Sequence, residues 1–556
     1  MNDLHIKGGL IVDPTSGIDG RVGDLWIDGG KVVPAPTEPD AKARRTIDAR
    51  GYVVMPAGVD VHCHIAGGKV NGARAMRPED HRSDVIRRRP GMRSGTVGPT
   101  PTTFATGYLY AGLGYGTAVD AAIPPLMARH AHHELDDTPL IDKAFLVLMG
   151  NNHLVLDKVR EGDAAGLRDL VAWLLGAAKG FGVKVVNPGG VERWKQGHGN
   201  VATLDDRVEH FDVTPRAIMT ALARAVDELG LPHPMHLHGL NLGLPGNAAT
   251  TLETLRALDG HRVHLAHVQF QSYGAAEGKS ATFGSRAGEL AEYVNGHAGV
   301  TVDVGQVIFG DTTSMTADGA VGQYLARVTG RKWFNLDVEV ETGCGVVPIT
   351  YSDRNAVHAL QWAVGLEWFL RVDDPWKIAL STDHPNGGSF LSYPKVIAWL
   401  MDRGHRADAL ERLPERVRGK TGLGDLSREY TLAEVAIITR AAPARMLGLS
   451  NKGHLGPGAD ADVTIYAPHD DKERMFAFPR HVIKAGEVVV DDGDLKAGPI
   501  GRTLVVEPGY DPAILPHVRE RFESEATVLL EHAVVREDEL ASPWTWSRPG
   551  QTEEGS

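Results

Sequence analysis

Val59-Asp60-Val61-His62-Cys63-His64-Ile65 is the stretch on which the fold of this chain turns. It follows the apolar run Gly51-Tyr52-Val53-Val54-Met55 and a Pro56-Ala57-Gly58 turn. Valine, isoleucine and two-residue alternation favour a strand. Residues two apart on a strand share a face, so His62 and His64 project together and Asp60 points the same way one step earlier. Two imidazoles side by side at a strand end are half of a divalent-metal site. The plainer alternative is a pair of structural histidines, and the rest of the chain decides between them.

Working outward, the middle of the chain alternates strand-like and helix-like segments. The candidate strands are Val59–Ile65, Gly116–Ile123, Ala144–Met149, Val183–Asn187, Met235–His238, Val263–Gln269, Val300–Val307 and Ile378–Thr382. Amphipathic stretches such as Gly166–Ala178, Arg216–Leu229 and Ala248–Leu258 lie between them. This alternation predicts an α/β fold, a (β/α)8 TIM-like barrel over residues 55–449. An open doubly wound sheet is the competitor, but no Gly-x-Gly-x-x-Gly follows the first strand. Residues 1–54 and 450–500 are both β-rich, which suggests one composite β domain, a sandwich built from both termini. Residues 66–115 read as a long loop-like insertion after the first strand. Residues 501–556 form a C-terminal extension, a candidate subunit contact, with a helical run Ile514–Leu530 and a frayed end at Pro549–Ser556.

The totals narrow the class. The 556 residues are 42% hydrophobic and 23% charged, ordinary for a globular protein large enough for a barrel and a satellite domain. No apolar run of about 18 residues predicts a membrane span, and the N-terminus carries no apolar leader. Two cysteines, Cys63 and Cys344, exclude a disulfide framework and four-thiolate iron–sulfur clusters. These features predict a cytoplasmic protein. A formal net charge of -13 argues against sequence-independent nucleic-acid binding.

In a (β/α)8 barrel the reactive groups sit at the C-terminal strand ends. The fourth strand carries Lys184 inside an apolar run. An ammonium is expensive to bury, and a neutral amine there can take up CO2 to form a carbamate able to bridge two metals. A lysine snorkelling to the rim is the alternative. The fifth strand offers His236 and His238 on one face, either of which could be a ligand. The sixth offers His264 and His267, whose three-residue step predicts opposite faces. His267 ends the apolar run and is the better candidate. The eighth ends at Asp383. The insertion also gathers Lys69, Arg74, Arg77, Arg82, Arg87, Arg88, Arg89 and Arg93. In an acidic chain this suggests an anionic substrate or partner, with a solvated loop or subunit contact as the alternative.

The pattern resembles the amidohydrolase superfamily, metal-dependent hydrolases on such a barrel with a composite β domain. Val61-His-Cys-His64 looks like its first-strand motif, and Gly456-Pro-Gly-Ala-Asp-Ala-Asp-Val-Thr464 like its return into the β domain. Ile65–Asp80, Gly182–Gly189 and Asn241–Gly246 resemble one branch: the A subunits of formylmethanofuran dehydrogenases and of formyltransferase/hydrolase complexes. The likeness runs to about Asp492. It implies two zinc ions held by His62, His64, a carboxylated Lys184, His238, His267 and Asp383, with His236 as alternative ligand and Asp383 also as the catalytic proton carrier. It implies hydrolysis of an N-formyl furan-type one-carbon carrier to formate and the free amine, or the reverse condensation in the dehydrogenase. It further implies partner subunits and a glutamate-tailed, anionic substrate that Lys69, Arg74 and Arg77 would suit. The rival readings are a cyclic amidohydrolase and a scaffold subunit without metal.

Overall fold

The computed structural model describes residues 1–547 except 39–40, 81–84, 87, 277–278 and 339–343. The frayed end expected at Pro549–Ser556, and Arg82 and Arg87 of the basic cluster, lie outside the described residues.

Eight parallel strands run in chain order around a barrel. They are Gly58–Cys63, Tyr115–Ile123, Asp142–Leu148, Gly182–Val186, Met235–His238, Val263–Leu265, Val300–Asp303 and Ile378–Ala379. Each falls on an expected segment. All residues of the second, third and fourth strands are buried, because helices cover the outer face while side chains fill the inside. The seam closes beyond the eighth strand. The His64 N–H donates to the His384 carbonyl at 2.7 Å, and Ser381 Oγ donates to the His62 carbonyl at 3.2 Å.

The covering helices carry clear end signals. Pro215–Leu229 starts with Thr214 accepting the Ala217 N–H at 3.3 Å and a proline in its first turn. It stops at Gly230, whose φ of 62° a side chain would resist. Ile218, Met219, Leu222 and Val226 form its buried stripe.

Both termini build one nine-stranded sheet. Val463–Tyr466 pairs antiparallel with Val53–Pro56, which pairs in turn with the long strand Asn2–Asp13. Leu4, Ile6, Ile27, Val54, Val463 and Ile483 share its core.

Two insertions rise beside the barrel. The first, expected as a loop, contains the helices Gly68–Met76 and Thr103–Gly112 and a short hairpin of Val85–Ile86 with Gly95–Thr96. The second comes after the seventh strand. Strands Gly310–Thr316, Phe334–Leu336 and Cys344–Tyr351 form an antiparallel sheet beside the helix Gly319–Thr329. The extension returns to the barrel: Thr503–Val506 pairs with the third strand at Lys143, and Pro543–Trp546 lies beside it. Its single expected helical run is two helices, Leu515–Glu525 and Leu530–Ala533, because the first ends at Ala526 in extended backbone. Among the described residues no helix is long and apolar enough to cross a membrane.

Candidate metal centre

His62 and His64 leave the first strand on one side, as two-residue alternation requires. Their Nε2 atoms stand 3.1 and 3.0 Å from one oxygen, Oδ1 of Asp383. Asp383 lies past the eighth strand with φ of 52°, fixed by its N–H donating to Ser381 Oγ at 2.7 Å. Asn386 Nδ2 donates to the same oxygen at 2.9 Å. Burial alone would raise the Asp383 carboxyl, but the imidazoles of His62 and His267 outweigh it and hold the group well below the usual range.

A second cluster faces the first. Nδ1 of His238 and Nε2 of His267 are 3.1 Å apart. His267 has left the strand in a left-handed turn, φ 36°. Gly305 makes room for it, since a Cβ there would lie 2.5 Å from the His267 Cβ. The expectation that His264 and His267 point to opposite faces is corrected here. The strand stops at Leu265, so alternation no longer governs position 267, and His264 also turns inward, with Nε2 3.1 Å from Asp303 Oδ2.

His236 sits one layer deeper. Its Nε2 is 3.1 Å from His62 Nδ1 and its Nδ1 is 3.0 Å from His233 Nε2. His238, not His236, lines the cavity above. Lys184 also lines that cavity and is 1% exposed, yet its Nζ makes no hydrogen bond. Burial lowers its ammonium to about 8, against the pull of Asp303, Asp383 and Asp120.

Three carboxylates that sequence reasoning passed over stand behind these imidazoles. Asp303 Oδ2 is 2.9 Å from His62 Nδ1, and its Oδ1 accepts the His267 N–H at 3.1 Å. Asp120 Oδ1 is 3.7 Å from His64 Nδ1. Asp318 Oδ2 is 3.7 Å from His238 Nε2. Asp303 was findable as the acid closing the run Val300-Thr301-Val302-Asp303, and Asp120 as the acid set inside the apolar run Ala118–Ile123. Asp318 belongs to the second insertion and carries no such signal.

The cationic residues expected to meet an anionic substrate are engaged elsewhere. Lys69 Nζ donates to Asp120 Oδ1 at 2.9 Å and to the Ala122 carbonyl at 2.8 Å. Arg74 donates to the Pro101 carbonyl at 3.0 Å and to Glu134 at 3.2 Å. Arg77 pairs with both oxygens of Asp80 at 3.0 and 3.1 Å. Each guanidinium or ammonium is matched within the insertion or to the barrel beneath, and none lines the cavity.

The cavity measures about 390 Å³ and opens above the histidines. The second insertion walls it with Val321, Leu325 and Ile349 against Leu242 and Phe270, while Ser314, Tyr351 and Asn386 supply polar groups near the base. Among the described residues lining it, Lys184 is the single lysine and there is no arginine.

This donor set fits a pair of divalent cations. Facing imidazole nitrogens and a buried amine with no acceptor are costly arrangements in a core. Imidazole and carboxylate at such close quarters are the ligand types zinc takes.

The family model for the amidohydrolase family matches residues 45–490. Protein FwdA of Methanocaldococcus jannaschii is 45% identical over 562 residues, covering 97% of this chain and 97% of that protein. The A subunit of the formyltransferase/hydrolase complex Fhc of Methylorubrum extorquens is 41% identical over 93% of this chain and 94% of its own. A crystal structure of the FhcABCD complex of Methylorubrum extorquens with methylofuran superposes with a TM-score of 0.90 at 38% identity, over 98% of this chain and 99% of that one.

Proposed function

Because this chain belongs to the amidohydrolase family, we propose that it is the A subunit of a formyltransferase/hydrolase complex or of its FwdA-like counterpart, and that it hydrolyses the N-formyl group of a furan-type one-carbon carrier to formate and the free amine. The near-full-length likeness to FwdA and to the Fhc protein supports the assignment. The observation that carries the chemistry is Lys184, wholly buried among carboxylates and imidazoles with no hydrogen bond of its own.

In this reading His62, His64, His238, His267, Asp383 and a carboxylated Lys184 would hold two zinc ions. Bound there, the two ions supply an acidified water and a Lewis acid for the formyl oxygen. Carboxylation needs the neutral amine, which adds to CO2 and loses one proton. A group lowered to about 8 offers a useful neutral fraction near neutrality. Asp383, held by Ser381 and Asn386, takes the proton of the attacking water and delivers it to the leaving amine. Such proton transfer contributes roughly 10²–10⁴-fold. The cavity receives the formamide and an apolar body.

The test is metal analysis together with formate release from the formylated carrier. Wild-type chain is expected to hold two zinc ions. Lys184→Ala is expected to lose zinc and turnover together and to recover part of both in the presence of short carboxylic acids. Full zinc and turnover in that variant would remove the carbamate. Native mass spectrometry of the assembly separates the two settings, since a formyltransferase partner supports the hydrolytic complex and a tungsten or molybdenum partner the condensing one.

A further inference from the structure

The insertion after the seventh strand does more than wall the cavity. Its helix Gly319–Thr329 begins at Asp318, which is wholly buried. One carboxylate oxygen caps the helix, accepting the Val321 N–H at 3.2 Å. The Asp318 N–H donates to Thr316 Oγ1 at 3.0 Å. The other oxygen, Oδ2, has no hydrogen-bond partner, and neither has the buried Nε2 of His238 that faces it at 3.7 Å. The opposite edge of that ring, Nδ1, is the one turned to His267.

The same arrangement stands behind two other imidazoles, His62 with Asp303 and His64 with Asp120. A carboxylate taking the outward ring N–H fixes the tautomer and leaves the inward nitrogen free to donate its lone pair. We propose that Asp318 is a positioning residue for His238, so that the insertion and the metal centre are assembled as one unit. This rests on the metal-binding reading above. Asp318 is well placed for the task because its helix is locked from two sides. A Cβ on Gly319 would lie 2.7 Å from the Trp194 ring, and Trp194 Nε1 donates to Gln323 Oε1 at 2.9 Å. Trp194 sits on the helix Gly190–Lys195, which comes directly after the strand of Lys184. On the other side the backbones of Gly322 and Gly345 touch, leaving no room for a Cβ on either.

The variants are Asp318→Asn and Asp318→Ser in the full chain. Both side chains still cap a helix. Asparagine turns an NH2 group toward the ring, and serine is too short to reach it. Zinc retention under chelator competition is expected to weaken by about 10–100-fold for the more loosely held ion, while the Tm of the metal-free protein stays at the wild-type value. Zinc retention equal to wild type in both variants overturns the proposal, as does a lowered metal-free Tm with unchanged zinc retention. A wild-type chain that holds no zinc overturns this proposal and the functional reading together; only that result touches the latter.

Discussion

Two buried lysines beside the same site live in opposite circumstances. Lys69 is 4% exposed and donates to three oxygens: Asp120, Ala66 and Ala122. Lys184 is 1% exposed and donates to none. The first is a matched charge, the second a group whose chemistry is unfinished without a partner. Removing one member of a buried pair strands the other and costs about 3–5 kcal/mol. Lys69→Met, which takes from Asp120 its buried ammonium partner and leaves it the N–H groups of Ile65, Ala66 and Ala122, is therefore expected to lower the unfolding free energy of the metal-free chain, by up to about that amount. Lys184→Met is expected to leave it unchanged or raised, because it removes an unsatisfied buried amine. Chemical denaturation of the two metal-free variants ranks them; the reverse order would contradict this account of the site.

At the scale of elements, alternation within strands was legible and the turn beyond each strand was not. His62 and His64 lie at a strand end, so their common face could be read from spacing. His267 and Asp383 lie past the ends of their strands, where left-handed turns set their direction, and a period of two says nothing about such a turn. The second insertion escaped notice because its strand Gly310–Thr316 is rich in Thr and Ser and resembles a connection. For Lys69, Arg74 and Arg77 the obstacle is different: a sequence shows the charges but not the carboxylates of Asp120, Glu134 and Asp80 folded against them. One further element carries a testable contact. The helix Leu515–Glu525 docks through Glu525, which meets His153 Nδ1 at 2.7 Å, while His153 Nε2 meets Glu192 at 3.1 Å. Burial would lower this imidazole, but Glu192 and Glu525 outweigh it and raise it. The contact therefore stabilises docking below the ordinary histidine range and is lost as pH rises through the raised value. Protection of residues 515–525 from hydrogen exchange, taken relative to the intrinsic exchange rate at each pH, is expected to fall as pH rises above the ordinary histidine range and to show no such fall in His153→Gln. Arg521, paired with Asp157 at 2.6 Å, keeps the helix in place throughout.

Across the whole molecule, one buried charge network joins three regions. Asp142 at the start of the third barrel strand meets Lys452 at 2.6 Å, Lys484 at 2.8 Å and Arg502 at 3.1 Å. Asp462 meets the same two lysines at 2.9 and 2.8 Å, and Asp460 meets Lys31 at 2.7 Å and also Arg502. Barrel, terminal sheet and C-terminal extension thus share ions. Burial would raise Asp142, but Lys452, Lys484 and Arg502 hold it well below the usual range. Its contribution is present above the ordinary carboxylate range and fades only as pH falls through the lowered value. Asp142→Ala is expected to cost about 3–5 kcal/mol and to open the chain near residues 496–502 to limited proteolysis. An unchanged digestion pattern would show that the three regions hold together without it.

The seam between the first and last barrel strands has a consequence for how the chain is made. His64 meets Asp383, 319 residues later, and Val53–Pro56 meets Val463–Tyr466. On the ribosome the earliest strands emerge long before the segments that cover them, so the nascent chain exposes apolar β surface for most of its synthesis. The side chains of the candidate metal centre come together only once Asp383 has left the exit tunnel, so completion of that centre is a late step in the birth of this protein.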